Sequence, residues 1–540
     1  MIEPKLRAAD VLAKRLYAAG CRYAFGMPGG EVLTLIDALE AAGIRFVLVR
    51  HENSGGFMAE AVYHRTAAPG ILVATLGPGA LNGINVVANA HQDRVPLIVL
   101  TGAVDADEAQ TYTHQVLDQP QVFRPITKAT FTLTAGAALV ITDKALAIAT
   151  EGRPGPVHID VPITVADTMV PAAHAPLATR PGPTIPAPGP MLNAARAALA
   201  NAKRPLMIVG LDAMNDNACP ALTAFAETYG AGVITTYKAK GLIDEDHPLS
   251  LGGAGLSPLA DKHLLPLVAQ ADLILCLGYD PIEMRPGWRN VWNPALTPVI
   301  DITAEPNRHY MHHATYPFVA DCVATLAALS DGTQPQATWP ANEIAATRAA
   351  LAKAFPTHEP WGPAAIIAEC AAALPANTLA SADSGAHRIL LSQMWACHEP
   401  RQLIQSSGLC TMGCALPMAM GMSLVEPNRT VVSFSGDAGF LMVAGELATA
   451  AELALRTIFV VFVDASLALI ELKQRSRQMP NTGVDFGLHD IAAIGRAFGG
   501  AGATVKTRDE LHTALVAAQA ADTFTVIAAI IERGAYDGRI

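Results

Sequence analysis

The chain has 540 residues, of which 51% are hydrophobic and 16% are charged, and its formal net charge is -11. A chain of this length holds about three or four domains of ordinary size. The negative charge argues against nucleic acid or an anionic membrane as the main partner, and no apolar run reaches the ~20 residues of a membrane span. The start lacks a signal-peptide pattern and the eight cysteines form no CxxC pair. We therefore expect a cytoplasmic protein with free thiols and no metal site built from paired cysteines.

The first domain is predicted over residues 1–168, where helices alternate with apolar strands. Repeated βα units of this size predict a doubly wound parallel sheet. Short glycine turns follow two of the strands, at Met27–Gly30 and Leu76–Gly79. The predicted strands are Arg22–Gly26, Arg45–Val49, Gly70–Thr75, Pro96–Thr101 and a last one within Gly152–Val161.

Two proline-containing segments separate two further α/β domains from the first. Residues 169–190 carry seven prolines and are predicted to be a semi-extended linker. A middle domain is predicted over residues 191–330, a second linker over 331–358, and a third domain over 359–540. The predicted strands of these two domains are Pro205–Gly210, Gly232–Thr235, Asp272–Gly278, Pro298–Ile302, Thr378–Ala382, Thr430–Ser435, Thr457–Val463 and Thr523–Ile531.

Two aspartates follow apolar strands of the third domain. Asp437 lies in a predicted tight turn at Gly436–Gly439, before a helix predicted over Leu441–Leu455, and Asp464 directly follows the strand Thr457–Val463. Ligands bind at the carboxyl edge of a parallel sheet, and such a turn with the next helix N-terminus suits a phosphate. Two carboxylates beside a phosphate predict a hard cation, Mg²⁺ first. The alternative is a helix cap and a strand-end turn.

Glu52 stands at the end of the second strand of the first domain, just before Ser54-Gly55-Gly56. A carboxyl group in this position is expected to be partly buried, which suits it to share a proton with a ligand nitrogen. The alternative is that Glu52 only lies near the positive end of the following helix.

Five motifs occur along the chain in this order: Arg50-His51-Glu52, Thr75-Leu76-Gly77-Pro78-Gly79, Gly152–Val161, Thr411-Met412-Gly413 and Gly436-Asp437-Ala438-Gly439. In their order and spacing the chain resembles, over essentially its whole length, the thiamine diphosphate (ThDP) enzymes of the acetolactate synthase and pyruvate decarboxylase superfamily. The resemblance implies an α/β fold of three doubly wound parallel-sheet domains: a pyrimidine-binding (PYR) domain, a middle domain and a diphosphate-binding (PP) domain.

The resemblance also implies roles for individual residues. Glu52 would hydrogen-bond the cofactor's pyrimidine and stabilise the imino tautomer that removes the thiazolium proton, while Met412 would wedge the two rings into a V. Asp437, Asp464 and the carbonyl of Ser466 would bind Mg²⁺ on the diphosphate. The other expected cofactor contacts are Thr75, Pro78, Asn82, Asp383, Gly385, His387, Gly436, Ala438, Gly439, Leu467, Ala468 and Leu469.

The chain departs from the superfamily's motifs at a few positions. Ala438 replaces a glycine, which is tolerable if its φ is negative. Val463 and Asp464 stand where many relatives have asparagines, and Asp464 keeps oxygen ligation but adds negative charge. Leu467 and Ala468 replace more polar or larger residues, or a glycine, which predicts a roomier or more apolar acceptor pocket.

One segment bears on the fate of the substrate. Acetolactate synthases carry a Phe-Gln pair before a run similar to Arg124–Lys128; here His114 replaces the Phe and Gln115 matches the Gln. Simple decarboxylases carry two adjacent histidines at this place, so the chain is intermediate. His114 can exchange a proton near neutral pH, or it is a packed or capping histidine. The candidate catalytic residues are Glu52, His114 and Gln115.

Further similarity is to the catabolic, FAD-independent acetolactate synthases, in Leu277–Glu283, Val484–Gly487 and Ala535–Asp537. No flavin signature is present, so the expected cofactors are ThDP and Mg²⁺ and FAD is not expected. The resemblance implies a carboligase that decarboxylates a 2-oxo acid such as pyruvate and adds the resulting carbanion or enamine to a carbonyl acceptor. It also implies a homodimer or homotetramer with active sites between subunits. A non-ligating decarboxylase, another ThDP lyase and a non-catalytic homologue are the alternatives.

Overall fold

The computed structural model of the protein describes residues 5–172 and 181–540. Part of the predicted proline-rich linker, residues 173–180, lies outside the described residues, as do residues 1–4. The described residues contain three six-stranded parallel sheets, each flanked by helices. The predicted α/β class with three doubly wound parallel-sheet domains is therefore confirmed.

The sheet of the first domain has the strand order β3-β2-β4-β5-β7-β6, and β1 pairs with β8 in a separate antiparallel ribbon. Its strands are β1 (Lys5–Arg7), β2 (Tyr23–Met27), β3 (Arg45–Leu48), β4 (Gly70–Ala74), β5 (Leu97–Ala103), β6 (Ala129–Thr132), β7 (Val157–Pro162) and β8 (Met169–Pro171). Its helices are α1 (Ala8–Ala18), α2 (Leu33–Ala41), α3 (Glu52–Thr66), α4 (Pro78–Asn82), α5 (Ile84–Gln92), α6 (Gln119–Phe123), α7 (Ala138–Thr150) and α8 (Ile163–Asp167).

The middle domain has the strand order β11-β10-β9-β12-β13-β14. Its strands are β9 (Pro205–Val209), β10 (Gly232–Thr236), β11 (Ser250–Ala254), β12 (Leu273–Leu277), β13 (Val299–Thr303) and β14 (Tyr316–Val319). Its helices are α9 (Pro190–Asn201), α10 (Leu211–Asn215), α11 (Cys219–Tyr229), α12 (Pro258–Val268) and α13 (Cys322–Ser330), and α14 (Glu343–Ala354) follows it.

The third domain has the strand order β16-β15-β17-β18-β20-β19. Its strands are β15 (Leu379–Ala382), β16 (Leu403–Gln405), β17 (Val431–Gly436), β18 (Ile458–Val463), β19 (Ala501–Val505) and β20 (Thr525–Ile530). Its helices are α15 (Pro363–Ala373), α16 (Ala386–Met394), α17 (Ala415–Val425), α18 (Asp437–Val443), α19 (Leu447–Glu452), α20 (Ala468–Ser476), α21 (Ile491–Ala497) and α22 (Arg508–Ala520).

The central strands are buried on both faces because helices cover both sides of each sheet. In β18, for example, all six residues are apolar and buried, as expected for a strand inside a parallel sheet. The first and third domains meet through α3 and α17. Gly421 permits this close approach, since a Cβ there would lie 2.5 Å from the carbonyl oxygen of Met58.

The local structure around Asp437 differs from the prediction. No separate turn spans Gly436–Gly439: α18 begins at Asp437, with Gly436 as its N-cap. The helix predicted over Leu441–Leu455 is instead two short helices, α18 and α19, joined by a 3₁₀ turn at Ala444–Glu446. Gly445 within this turn has a low helix propensity, which favours the interruption.

Both predicted linkers contain regular structure. The first begins with β8, which pairs with β1 at the other end of the first domain, and the second contains α14. The segment Gly152–Val161 provides β7, the last strand of the first sheet in chain order, which lies between β5 and β6. None of the described helices is long and apolar enough to cross a membrane.

Candidate active site

A cleft of about 660 Å³ opens at the carboxyl edge of the third domain's sheet. Its walls come from the residues after β15, β16, β17, β18 and β20, and from Leu256, Pro258, Arg285 and Pro286 of the middle domain. Twelve of the predicted site residues line this one cleft: Gly385, His387, Met412, Gly436, Asp437, Ala438, Gly439, Asp464, Ser466, Leu467, Ala468 and Leu469.

Two buried aspartates form the most acidic part of the cleft. Asp437 is 3% exposed and accepts hydrogen bonds from the backbone N–H of Ala438 and Ala465, at 2.9 and 2.8 Å. Asp464 is 9% exposed and accepts one from the N–H of Ser466 at 3.2 Å. Burial raises the pKa of Asp437, and burial together with the charge of Asp437 raises the pKa of Asp464 to about 7. A divalent cation between the two carboxylates would remove their mutual repulsion.

Two buried polar atoms of the cleft lack a hydrogen-bond partner, namely His387 Nε2 and Ser384 Oγ. Burial lowers the pKa of His387 to about 3, so its ring is neutral at physiological pH. The ring stacks on Phe462 with 5.4 Å between centroids. A Cβ at Gly385 would lie 2.6 Å from this ring, so a glycine is needed there. Unpartnered buried polar atoms that line a cleft fit a polar ligand.

Asp383 is the predicted third-domain residue that the cleft wall does not include. Its carboxylate accepts hydrogen bonds from the backbone N–H of Gly413 and Cys414, at 2.9 and 3.1 Å. Burial raises its pKa. These two bonds fix the loop that places Met412 in the cleft wall. Asp383 therefore positions the Met412 loop rather than facing a ligand.

The residues that depart from the family motifs at positions 438, 467 and 468 cause no backbone strain. Ala438 lies within α18 and is not among the residues with positive φ, so the absence of a glycine causes no strain. Leu467 is the N-cap of α20, and its N–H donates to the carbonyl of Val484 at 2.8 Å. Leu467, Ala468 and Leu469 all line the cleft and make this wall apolar.

A second group of predicted residues lies at the carboxyl edge of the first domain's sheet. Glu52 is the first residue of α3, is 4% exposed, and accepts a hydrogen bond from Asn82 Nδ2 at 2.9 Å. Thr75 Oγ1 donates to Glu31 Oε2 at 2.6 Å. A Cβ at Gly79 would lie 3.1 Å from Glu52 Oε1. The glycine turn therefore brings backbone close to a buried carboxylate.

His114 and Gln115 lie in an exposed loop beside this group, and Pro78 is exposed as well. Gln115 contacts the turn after β4, since a Cβ at Gly77 would lie 2.8 Å from the Gln115 carbonyl oxygen. His114 packs edge-on against Tyr112 at 6.2 Å between ring centroids. The loop is therefore near the Glu52 group, but both of its candidate residues face solvent in the single chain.

The two groups do not meet within one chain. The described residues that line the cleft include none from the first domain. Large apolar side chains are exposed beside both groups: Leu81 is 48% exposed next to Asn82, and Val116 is 39% exposed next to Gln115. Beside the cleft, Met442 is 65% exposed.

Several residues of the site were not predicted. Glu31 follows β2 and two glycines, much as Asp437 follows β17. This position after an apolar strand could have identified Glu31 from the sequence. Gln119 fixes the turn after β4, because it accepts from Gly77 N at 2.9 Å and donates to Asp160 at 2.6 Å. No local motif marks the cleft residues of the middle domain, because their role depends on how the domains pack.

Comparisons with known proteins agree with this arrangement. Three family models match: the N-terminal thiamine pyrophosphate (TPP) binding domain of thiamine pyrophosphate enzymes at residues 6–122, the central domain at 192–329 and the C-terminal TPP binding domain at 383–529. The catabolic acetolactate synthase of Raoultella terrigena is 30% identical, covering 96% of this chain and 94% of its own. The acetolactate synthase of Bacillus subtilis is 30% identical over 95% and 90%. A probable 2-ketoarginine decarboxylase of Pseudomonas aeruginosa is 31% identical over 94% and 91%.

Proposed function

The chain belongs to the thiamine diphosphate-dependent enzymes, in the superfamily of the acetolactate synthases, and from this premise we propose that it is a carboligase. It decarboxylates a 2-oxo acid such as pyruvate and joins the remaining carbon unit to a second carbonyl compound. The observation that carries this proposal is the cleft that combines two buried aspartates, Met412 and an apolar wall. A non-catalytic homologue would have no reason to keep this combination.

The third domain fits a magnesium diphosphate. Asp437 and Asp464 would bind Mg²⁺, with the carbonyl of Ser466 as the third protein ligand. The unpartnered His387 Nε2 and Ser384 Oγ are suited to hydrogen-bond the diphosphate oxygens. The family's PP domain thus corresponds to residues 359–540 and its PYR domain to residues 1–168. When bound, thiamine diphosphate supplies a carbon nucleophile for the 2-oxo group and an electron sink for the loss of CO₂.

Glu52 is the proton-holding group on the opposite side of the site. Because it is buried and accepts one hydrogen bond from Asn82, it can share a proton with a pyrimidine nitrogen that approaches its other oxygen. Thr75 and Pro78 lie in the segment that follows β4, close to Glu52. Met412, fixed through the Asp383 contacts, would support the rings from the third domain. The two domains therefore contribute different parts of one site.

The charge of the cleft favours an anionic substrate. Apart from Asp437 and Asp464, the charged residues in the described cleft wall are Arg285, Arg388 and Lys473. Arg285 contacts the buried Asp261 at 2.5 Å, and Arg388 donates to the carbonyl of Ser406. A 2-oxo acid with a cationic side chain, the substrate class named for one relative, would face these cationic residues of the described cleft wall. Pyruvate or an apolar 2-oxo acid fits better.

The second candidate function is decarboxylation without ligation, and His114 is the observation that favours it. An exposed imidazole can supply the proton that releases an aldehyde. The described cleft wall itself includes His387, whose low pKa leaves its ring without an extra proton to donate at neutral pH. His114→Phe would restore the residue typical of acetolactate synthases. If His114 supplies this proton, the substitution raises the ratio of ligation product to aldehyde.

A second chain would bring the two groups of site residues together. We place the active site between the first domain of one subunit and the third domain of another, in a homodimer or homotetramer. The exposed Leu81, Val116 and Met442 support this arrangement, because each lies beside one half of the site.

Product analysis tests the proposed reaction. Protein, ThDP and Mg²⁺ are incubated with a panel of 2-oxo acids, with and without a bulky apolar aldehyde, and the products are identified by mass spectrometry. We expect hydroxyketone or acetolactate-type products in amounts that match the CO₂ released. Free aldehyde equal to the CO₂ in every reaction would contradict ligation. Acetolactate as the exclusive product, even with the bulky aldehyde present, would contradict the roomier acceptor pocket.

A further inference from the structure

A buried group of Cys276, Asp301 and His312 lies in the middle domain, and none of the three lines the cleft. Cys276 is in β12 and Asp301 in β13, where the two residues are direct neighbours in the parallel pairing. His312 comes from the loop 304–315, which connects β13 to β14. One ligand atom from each of the three side chains lies within 4.8 Å of the other two. Two strands and a loop therefore bring together a thiol, a carboxylate and an imidazole.

These side chains lack the hydrogen bonds that burial normally requires. Cys276, Asp301 and His312 are 0%, 3% and 7% exposed. Asp301 Oδ1 and His312 Nε2 have no hydrogen-bond partner. His312 Nε2 is 3.8 Å from Asp301 Oδ2, which is too far for a hydrogen bond, and Asn307 Nδ2 donates to Oδ2 at 3.2 Å. An unpaired polar atom costs about 1–3 kcal/mol when buried, so two of them within one buried group need an explanation.

The surroundings hold the imidazole in place. Tyr279 stacks on the His312 ring with 5.3 Å between centroids, and Trp292 contacts it at 5.1 Å. Both aromatic residues are buried. The walls around the three ligand atoms are therefore rigid and largely apolar, which suits a dehydrated ion better than a loosely held water.

We propose that Cys276, Asp301 and His312 bind a divalent transition metal ion, Zn²⁺ first. A thiolate, an imidazole nitrogen and a carboxylate oxygen are the three ligand types that zinc takes. The thiolate and the carboxylate together neutralise the charge of the ion. Bond lengths of about 2.0–2.3 Å place the ligand atoms roughly 3.3–3.8 Å apart in a tetrahedron, so the group, whose ligand atoms lie within 4.8 Å of one another, contracts to that spacing when the ion binds.

The fourth position is available to water. His309 lies close, with 4.9 Å between its ring centroid and that of His312. However, its Nδ1 accepts a hydrogen bond from Met311 N at 3.0 Å, so in the neutral ring the proton is on Nε2 and the nitrogen is not a ligand.

The ion would have a structural role. It would tie the loop 304–315 to β12 and β13. Residues 305–309 of that loop, together with Arg153 of the first domain and Asp280, line a second cavity of about 280 Å³. An ion that fixes this loop would therefore also stabilise part of the contact between the first and middle domains.

Cobalt substitution tests the site without any assay of activity. The purified protein is stripped with a chelator, checked for folding by circular dichroism, and titrated with Co²⁺. We expect a cobalt–thiolate charge-transfer band that saturates at one equivalent per chain and disappears when Zn²⁺ is added. Co²⁺ at Asp437 and Asp464 gives no such band, because oxygen ligands lack the thiolate transition. A folded wild-type protein without the band overturns the proposal.

Matched variants identify the residues that produce the cobalt–thiolate band. Cys276→Ser and Asp301→Asn remove ligands and should abolish it, whereas Cys322→Ser removes another buried thiol of the same domain and should leave it unchanged. If Cys276→Ser retains the band, another cysteine is the ligand and the proposal is wrong. If a variant does not fold, hydrogen exchange of the wild type decides: chelation should speed exchange in the loop 304–315, and an unchanged rate there contradicts the structural role.

Discussion

The first and third domains have the same topology but carry different chemistry at the same place. With the strands of each parallel sheet numbered in chain order, both have the spatial order 2-1-3-4-6-5, whereas the middle domain has 3-2-1-4-5-6. The helices after the second strand, α3 and α17, are equivalent and pack against each other. In both sheets the site residues follow the same strands. One fold used twice thus provides two different half-sites.

The difference between the two half-sites lies in what surrounds them. In the third domain, Asp437 and Asp464 lie in a cleft closed on one side by the middle domain. In the first domain, Glu52 lies near an exposed loop with His114 and Gln115. The third-domain half is therefore enclosed within one chain, whereas the loop of the first-domain half is exposed in the single chain. The following predictions test this division.

The largest effect is expected for Asp437→Asn. The substitution removes one negative charge from the proposed metal site and puts an amide NH2, which cannot accept, where a carboxylate oxygen now accepts a backbone N–H. Loss of residues that only support a ligand costs about 10–100-fold, so this change in the ligand itself should lower kcat/KM more than about a hundredfold. Mg²⁺-dependent binding of ThDP should weaken in parallel, measured by calorimetry. Asp522→Asn, at a fully exposed position, is the control, and an equal loss in both variants would contradict the assignment.

Glu52→Gln should impair the first-domain half-site and leave the third-domain half-site intact. Loss of the proton-holding group should slow hydrogen–deuterium exchange at the thiazolium carbon by about 10²–10⁴-fold, as followed by NMR. Binding of Mg²⁺ with the diphosphate should stay close to the wild-type affinity, because Asp437 and Asp464 are untouched. Glu532→Gln, on the surface, is the matched control. An unchanged exchange rate in Glu52→Gln would refute the role of Glu52.

The smallest effect concerns the equivalent helices α3 and α17. Helix α17 has no charged residue, whereas α3 buries Glu60. Burial, and then the charge of Asp93, raises the pKa of Glu60 from about 4.5 to about 8. Between these values the folded protein keeps a proton that the unfolded chain has lost, so the contribution of Glu60 to stability falls as pH rises from about 4.5 to about 8.

Glu60→Gln should reduce this pH dependence. One such group changes the free energy of unfolding by at most about 1.4 kcal/mol per pH unit. We therefore expect the variant to gain stability relative to wild type as pH rises from 5 to 8, as measured by urea unfolding across that range. Glu532→Gln should follow the wild-type curve. A constant difference between Glu60→Gln and wild type at all pH values would contradict the raised pKa.

The strands inside the sheets were predictable, whereas most of the edge strands were not. Central strands such as β12 and β18 are continuous apolar runs, because helices cover both of their faces. The strands missed in the parallel sheets are β6, β11, β14, β16 and β19, and all five lie at sheet edges. They are short, half-exposed or rich in small residues, so burial imposes no continuous apolar pattern on them. The spatial order of the strands is a tertiary property and has no local signal.

The candidate site residues that directly follow apolar strands were predictable from the sequence. Asp437, Asp464 and Glu52 were found from their positions after apolar strands, and the resemblance supplied their roles. The contribution of Leu256 and Arg285 depends on domain packing, and the inward orientation of Asp383 depends on the fold of the Met412 loop. Cys276 and Asp301 are neighbours only because β12 and β13 pair. No spacing along the chain indicates that contact.

The most direct test of the division between half-sites is complementation of two inactive variants. Glu52→Gln and Asp437→Asn chains are mixed under conditions that exchange subunits, and turnover is measured against each variant alone. If each site combines the first domain of one chain with the third domain of another, random pairing leaves about a quarter of the sites intact. We predict recovery of up to about a quarter of wild-type activity. No recovery in a mixture shown to contain hybrid oligomers would contradict the shared site, because sites contained within one chain would all be damaged.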